Sequence, residues 1–363
     1  MDRHPGSDLL TDNNKFMIRA FIFWVLTIGF WLPFQAQDTL RSSLAEYDLF
    51  AEEEPLEVSL EFDYKNFIRR KYKDEYQPAL ITVHLNDSLQ VSDTIRIKAR
   101  GEFRKRYCNF PPIRLNFKKA DFEVPALSQL EKVKLVTHCK ASVTFEQYLI
   151  KEYLTYKSYN LLTDKSFRVR LVHMTYVDSK GKKKPIDKMG FVIEEVEKVA
   201  ARNKCIEFEA ENVHPELTNR EQMTLIALFQ YMIGNTDWHV PSLHNVRLIK
   251  NLDFTSDQVY AVPYDFDYCG LVDAVYAIPG PQLAIESVRD RFYMGFERGP
   301  EELQKTIALF LEQEEAIYAL FENSPYLGER EKASSVKYLK EYFDIIRDEK
   351  RLRFYIVSQA LQK

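Results

Sequence analysis

Five short runs between residues 56 and 137 alternate apolar and polar positions with a period of two: 56–62, 79–85, 93–99, 111–117 and 132–137. Successive side chains of a strand point to opposite faces, so this alternation predicts half-buried strands. Together the runs predict an antiparallel, β-rich region. The period then changes. Phe145, Tyr148, Leu149, Tyr153, Tyr156 and Leu161 recur at helical spacing, with Thr144 and Glu146 where a helix would start. Two more strands are predicted at 167–177 and 188–194, separated by a turn at 178–181. Helix dominates from there on, with candidates at 220–233, 301–321 and 332–362. One hairpin interrupts them: 246–250 and 258–262 read as strands joined by the polar turn 251–257.

The first 36 residues follow a different logic. Lys15 and Arg19 precede an apolar run over 20–34, which is shorter than the ~20 residues of a membrane span. Ala36 puts a small residue just before Gln37. This is the layout of a signal peptide over 1–36. An uncleaved membrane anchor through residues 17–34 is the alternative, and Met17 offers a second start. Either way the folded part is expected to be exported, to a periplasmic, cell-envelope or extracellular location. Residues 37–55, polar and acidic at Glu52, Glu53 and Glu54, predict a linker.

The chain of 363 residues is long enough for two regions with cores of their own. The net charge of −4 is spread without a basic block, which argues against a general nucleic-acid binder. Glycine is scarce, 11 residues in all, and no Gly-x-Gly-x-x-Gly stretch is present. A phosphate clamp, if there is one, must be built from other residues. The four cysteines, Cys108, Cys139, Cys205 and Cys269, form no Cys-x-x-Cys pair, so a structural zinc site is disfavoured. Export would permit a disulfide. Cys108 and Cys139 flank two predicted strands and are the favoured pair; four buried free thiols are the alternative.

Two stretches carry the candidate chemistry. GNTDWHVPSLHN runs from Gly234 to Asn245, and VPYDFD runs from Val262 to Asp267. A loop carboxylate such as Asp237 can orient a hydroxyl nucleophile and accept its proton. Asn245 and Asp265 are hard oxygen ligands suited to magnesium carried by ATP, and Asp267 adds a second carboxylate. The hairpin between the stretches predicts that Asp265 returns beside Asp237 and Asn245. Phosphoryl-transfer sites are assembled from parts of this kind. Such a site also uses a Lys–Glu pair across strand and helix. Arg114, Lys118 and Lys134 all lie on predicted strands, and Lys134, on the strand leading to the helix with Glu146 and Glu152, is favoured for it over Arg114. A metal-hydrolase cluster of His239, His244, Asp237 and Asp265 is an alternative, but Pro241 and Ser242 between the histidines predict a loop and not a helical ligand pair.

The order Asn-x-Asp, Asn, hairpin, Pro-Tyr-Asp-x-Asp resembles the spore-coat CotH kinase family, and the Gly-Asn-x-Asp-x-His stretch is similar to that of HipA-type kinases. The resemblance implies an α+β, bilobal, atypical protein-kinase-like fold. Residues 56–197 would form an antiparallel β-rich N-lobe with one helix, and 198–363 a mainly helical C-lobe with the catalytic hairpin. It implies ATP and Mg2+ as cofactors, and an acceptor that is a protein, a glycan or a lipid. The segment from Arg100 to Arg104 resembles the Arg-Gly-Asn-Ser-Ser segment over the nucleotide phosphates of that family, with Glu102 and Phe103 in place of Asn-Ser. Arg100 and Arg104 are thereby implied in phosphate binding. Residues 191–196, with Glu194, take the place of the interlobe hinge that meets adenine. The altered 100–104 segment also suits an alternative, a pseudokinase that binds nucleotide without turnover.

Overall fold

In the computed structural model, which describes residues 47–86, 89–253 and 258–362, the alternating segments become seven strands that close on one another. They are β1 (Leu56–Phe62), β2 (Gln77–Asn86), β3 (Leu89–Ala99), β4 (Ile113–Asn116), β5 (Lys132–Val136), β6 (Val169–Asp178) and β7 (Ile186–Ile193). Their order around the barrel is β1-β2-β3-β4-β5-β7-β6. The closing pair, β1 with β6, is parallel and in register from Leu56↔Val172 to Phe62↔Asp178. The other neighbours are antiparallel. Ile97, Ile113, Leu115, Val133 and Leu135 are buried. Lys98, Arg114 and Lys134 alternate with them and fall on the opposite face of the same strands.

This closure corrects the expectation of a bilobal kinase-like fold with an open antiparallel N-lobe sheet. The barrel is mixed, and neither β1 nor β6 is an edge. Period-two alternation reports which face of a strand is buried. It carries no information on whether the last strand meets solvent or the first strand. Unpaired N–H and C=O groups on two edges favour joining them when the twist allows it.

The helices are α1 (Tyr64–Arg69), α2 (Glu102–Tyr107), α3 (Pro125–Ser128), α4 (Val143–Asn160), α5 (Val196–Arg202), α6 (Arg220–Ile233), α7 (Pro300–Glu322), α8 (Glu329–Arg347) and α9 (Glu349–Tyr355). The basic segment after β3 forms the helix α2. The single helix expected at 332–362 is divided at Asp348, whose side chain accepts from the Arg351 N–H at 2.8 Å and caps α9. β8 (Cys205–Glu207) joins the expected hairpin of β9 (Val246–Asn251) and β10 (Val259–Pro263) in a three-stranded sheet ordered β10-β9-β8.

The chain divides into two compact units: residues 1–49 with 122–129, and residues 50–121 with 130–363. The first contains α3, which starts on a proline whose missing N–H has no helical partner to lose. The second contains all ten strands and the remaining helices. Its deepest helix is α6, in which every residue from Gln222 to Ile233 is buried. The signal peptide or anchor expected at 1–36 lies outside the described residues, as do positions 37–46 of the expected linker. Among the described residues no helix is long and apolar enough to cross a membrane.

Candidate functional site

α6 ends where the site begins. Gly234 takes the left-handed conformation, φ 65°, and its N–H bonds the carbonyls of Gln230 and Tyr231. A Cβ at this position would lie 2.1 Å from the Tyr338 hydroxyl. Glycine is therefore required both by the backbone and by the close approach. The next residue, Asn235, is buried. Its side chain donates to Gln230 Oε1 at 3.0 Å and accepts from the Asp237 N–H at 3.0 Å. Asp237 is thus held by the end of the core helix.

The loop then folds back on itself. His239 and His244 exchange both backbone hydrogen bonds, each at 3.0 Å. This places His244 Nε2 2.7 Å from Asp237 Oδ1 and Asn245 Nδ2 3.0 Å from Asp237 Oδ2. The same Asn245 amide donates to the Asp237 carbonyl at 2.8 Å. β9 and β10 pair with Val246 opposite Pro263, and the Tyr264 N–H donates to the Asn245 carbonyl at 2.9 Å. The hairpin does what its sequence predicts: it returns the 264–267 segment to the loop of Asp237 and Asn245. Asn245 and Asp265 both have positive φ, 53° and 64°. Such backbone is uncommon outside glycine and persists where surrounding contacts over-determine it.

Below this loop lies a group of acids. Carboxylate oxygens of Glu152 on α4, Asp265 and Asp267 all come within 4.8 Å of one another. Arg104, from α2, reaches between two of them, with Nη2 2.8 Å from Glu152 Oε2 and 2.8 Å from Asp267 Oδ2. The Tyr276 hydroxyl donates to Asp267 at 3.0 Å. Burial pushes the carboxyls of Glu152 and Asp267 upward, against the pull of Arg104. Burial also opposes the charge of Arg104, but Asp267 and Glu152 outweigh it and hold the guanidinium well above its usual range. One Arg cannot neutralise two buried carboxylates, and Glu152 Oε1 is buried with no hydrogen-bond partner.

These residues fit a hard divalent cation. The three carboxylates supply oxygen ligands from two elements, one oxygen lacks a partner, and Asp265 is only half-buried and open to an incoming ligand. The group contains no histidine. His239 Nδ1 instead lies 2.8 Å from Ser242 Oγ, and His244 bonds Asp237. The alternative cluster of His239, His244, Asp237 and Asp265 is not assembled as a metal site among the described residues.

Beside the acids stands a group of cations. Arg114 lies opposite Lys98 on β3 and opposite Lys134 on β5. Lys134 Nζ is 4.1 Å from the Tyr264 ring centroid and 5.9 Å from that of Phe167. Arg247, from β9, stands 5.2 Å from the same Tyr264 ring. Burial, then Arg100, Arg247 and Arg114, push the Lys134 ammonium well below the usual lysine range. Arg114, Lys134 and Arg247 line a cavity of about 230 Å³ with Phe167, Ile193 and residues 194–197.

The predicted residues therefore separate into groups. Asp237 meets Asn245, whose carbonyl holds the Tyr264 N–H at the head of the 265–267 segment, and Arg104 joins Asp267. Arg100, Arg114 and Lys134 form the basic group, and Glu194 lines its cavity. Lys134 does not pair with Glu146, which bonds Lys188 at 3.0 Å, or with Glu152, which bonds Arg104. The cation–acid pair expected at Lys134 is made by Arg104 and Glu152. The Glu194 carboxylate is buried between Arg168 and Arg202 and accepts the Arg168 N–H at 3.0 Å, so its oxygens are already used. Arg247 and Tyr264 were missed by sequence reasoning. The signal for Arg247 was its alternation with the buried Val246 and Leu248 on a strand leaving Asn245. Cys108 and Cys139 are joined as a disulfide, and Cys205 and Cys269 are buried free thiols. Compared with protein-family models and with curated protein sequences, the chain matches none.

Proposed function

We propose that the chain is an exported phosphotransferase that uses a nucleoside triphosphate with magnesium, ATP in the first instance. The observation that carries this reading is the adjacency of three things: a hydrogen-bonded loop acid, an under-neutralised carboxylate group and a set of unpaired cations. The cations Arg100, Arg114 and Lys134 bind phosphate oxygens. Asp265, with Asp267 or Glu152, holds magnesium, which when bound neutralises charge on the phosphates. Asp237 orients an acceptor hydroxyl and takes its proton, and His244 keeps that carboxylate aimed. The acceptor is a hydroxyl of a protein, a glycan or a lipid. Support comes from the residue pattern of the loop and hairpin, and not from a kinase-like fold. The disulfide supports an oxidising, exported location.

A second reading, nucleotide binding without turnover, is favoured by one contact: Arg104 already occupies the space between Glu152 and Asp267. Two measurements separate the readings. Saturating ATP with magnesium is expected to raise the unfolding temperature, and Asp265→Asn to remove the magnesium-dependent part. Asp237→Ala is expected to keep nucleotide binding and lose transfer from labelled ATP, at least a hundredfold in turnover. Wild type that binds nucleotide but transfers no phosphate to itself or to acceptor panels supports the second reading. Wild type with no response to nucleotide overturns both.

A further inference from the structure

We propose that the cavity beside Tyr264 is a binding site for a linear polyphosphate, and that Arg247 supplies a cation of that site from outside the barrel. For its biological ligand the inference rests on the nucleoside-triphosphate reading. The anion site itself stands on separate observations.

The first observation is a row of like charges. Arg114 and Lys134 sit directly opposite each other on neighbouring antiparallel strands. Side chains so placed have Cβ atoms roughly 4.5–5.5 Å apart, and like charges there destabilise the sheet. Three other cations on or beside these strands do have acid partners: Lys98 with Asp74 at 2.6 Å, Lys118 with Glu131 at 2.7 Å, Lys188 with Glu146 at 3.0 Å. Among the described residues no carboxylate lies within 4.0 Å of Arg100, Arg114, Lys134 or Arg247. Four neighbouring cations thus lack an acid partner.

The second observation is where the fourth cation comes from. Arg100, Arg114 and Lys134 belong to or follow barrel strands, whereas Arg247 follows Asn245 by two residues on the hairpin. Lys134 and Arg247 both lie against Tyr264, at 4.1 and 5.2 Å. The aromatic face offsets part of their repulsion. An anion between them would offset the rest and tie the barrel to the loop that carries Asn245 and Asp265.

The third observation is how the acids of the cavity are engaged. Glutamates line it too, but Glu194 is held by Arg168 and Arg202, Glu131 by Lys118, and Glu195 by the N–H groups of Glu131 and Lys132. Glu197, Glu207 and Glu209 remain. Burial, then Glu197 and Glu209, raise the Glu207 carboxyl, and Arg247 and Lys134 pull it back down. A phosphate chain is directed to the basic end, and a donor-rich group, such as a ribose or an amino-bearing base, to the acidic end. The volume of about 230 Å³ is below the ~300–1,000 Å³ of pockets that enclose a whole small molecule, in keeping with phosphates inside and the remainder reaching out.

Calorimetry with inorganic tripolyphosphate and, separately, with magnesium ATP tests this on the intact chain. Wild type is expected to bind tripolyphosphate. Arg247→Gln is expected to weaken it roughly tenfold to a hundredfold, the loss of a charge-assisted contact, and Arg247→Lys to restore part of it. Glu207→Gln is expected to bind tripolyphosphate no more weakly than wild type. The ligand-free Arg247→Gln protein is expected to melt no lower than wild type, because a repelling charge has gone. Equal tripolyphosphate affinity in wild type and Arg247→Gln overturns the inference, and so does a lower ligand-free melting temperature, which would make Arg247 a structural residue. If tripolyphosphate binds and magnesium ATP does not, the anion site stands and the phosphotransferase reading fails. If magnesium ATP is bound and turned over equally by both proteins, the reverse holds.

Discussion

Asp237 is a residue whose two oxygens are both engaged before any substrate arrives, one by His244 and one by Asn245. That arrangement fixes where its lone pairs point and leaves each oxygen a further acceptor site. His138 shows the opposite case. It is 5% exposed, stacks on Phe110 with ring centroids 5.1 Å apart, and its Nδ1 has no partner. Burial, helped by Lys188, lowers its pKa from 6.5 to about 4. Between those values the unfolded chain binds a proton that the folded chain refuses. Its contribution is therefore fully present above pH ~6.5 and is lost as pH falls toward about 4, in all about 3 kcal/mol. His138→Phe is expected to remove that acid limb from urea-unfolding curves taken across the window. An unchanged limb would assign the proton to another group.

At the scale of elements, the disulfide joins the residue after α2 to a residue just beyond β5. Phe110 and Cys139 also form a bridge beside it, so the staple reinforces a backbone contact that already exists. The cross-link closes 31 residues of chain, and loop-closure entropy assigns such a link roughly 3–4 kcal/mol. Cys108→Ala with Cys139→Ala, or reduction, is expected to lower the urea-unfolding free energy by that amount. A loss near zero would mean that the bridge and the packing of α2 already hold these ends together. Because α2 carries Arg104, the same variant is expected to loosen the contact between Arg104 and the acids. The element-level expectations that held, α4, α6 and the β9–β10 hairpin, rest on long periods or clear turns. The 100–107 segment was not legible, because its charged residues suit a loop tip and a short helix equally well.

For the whole molecule, closure of the barrel is the decisive property. Ser59 on β1 stands opposite Thr82 on β2 and Thr175 on β6. With neighbours on both sides, an internal N–H of β1 faces a partner whichever way it points. Ser59→Pro is expected to cost ~3 kcal/mol or more, and amide exchange in β1 and β6 to slow toward the rate of global unfolding. In an open sheet, with β1 at an edge, a proline facing solvent would be tolerated. A stable, fully folded Ser59→Pro protein would therefore contradict the closed barrel.

Local periods are legible along the chain, and with them most strands, the core helix α6, and the loop and hairpin that carry Asp237, Asn245, Asp265 and Asp267. Those features depend on neighbours a few residues away, so they can be read along the chain. Tertiary structure alone decided that β1 meets β6, that Arg104 and not Lys134 takes Glu152, that Glu194 is consumed by two arginines, and that Arg247 joins the basic group. Each of these is a choice of partner between residues far apart in sequence. A lysine on a strand looks the same whether its partner is a glutamate or the face of a tyrosine. Pairing is settled by which side chains the packed core brings within a few ångströms, and the pattern of apolar positions does not encode that distance.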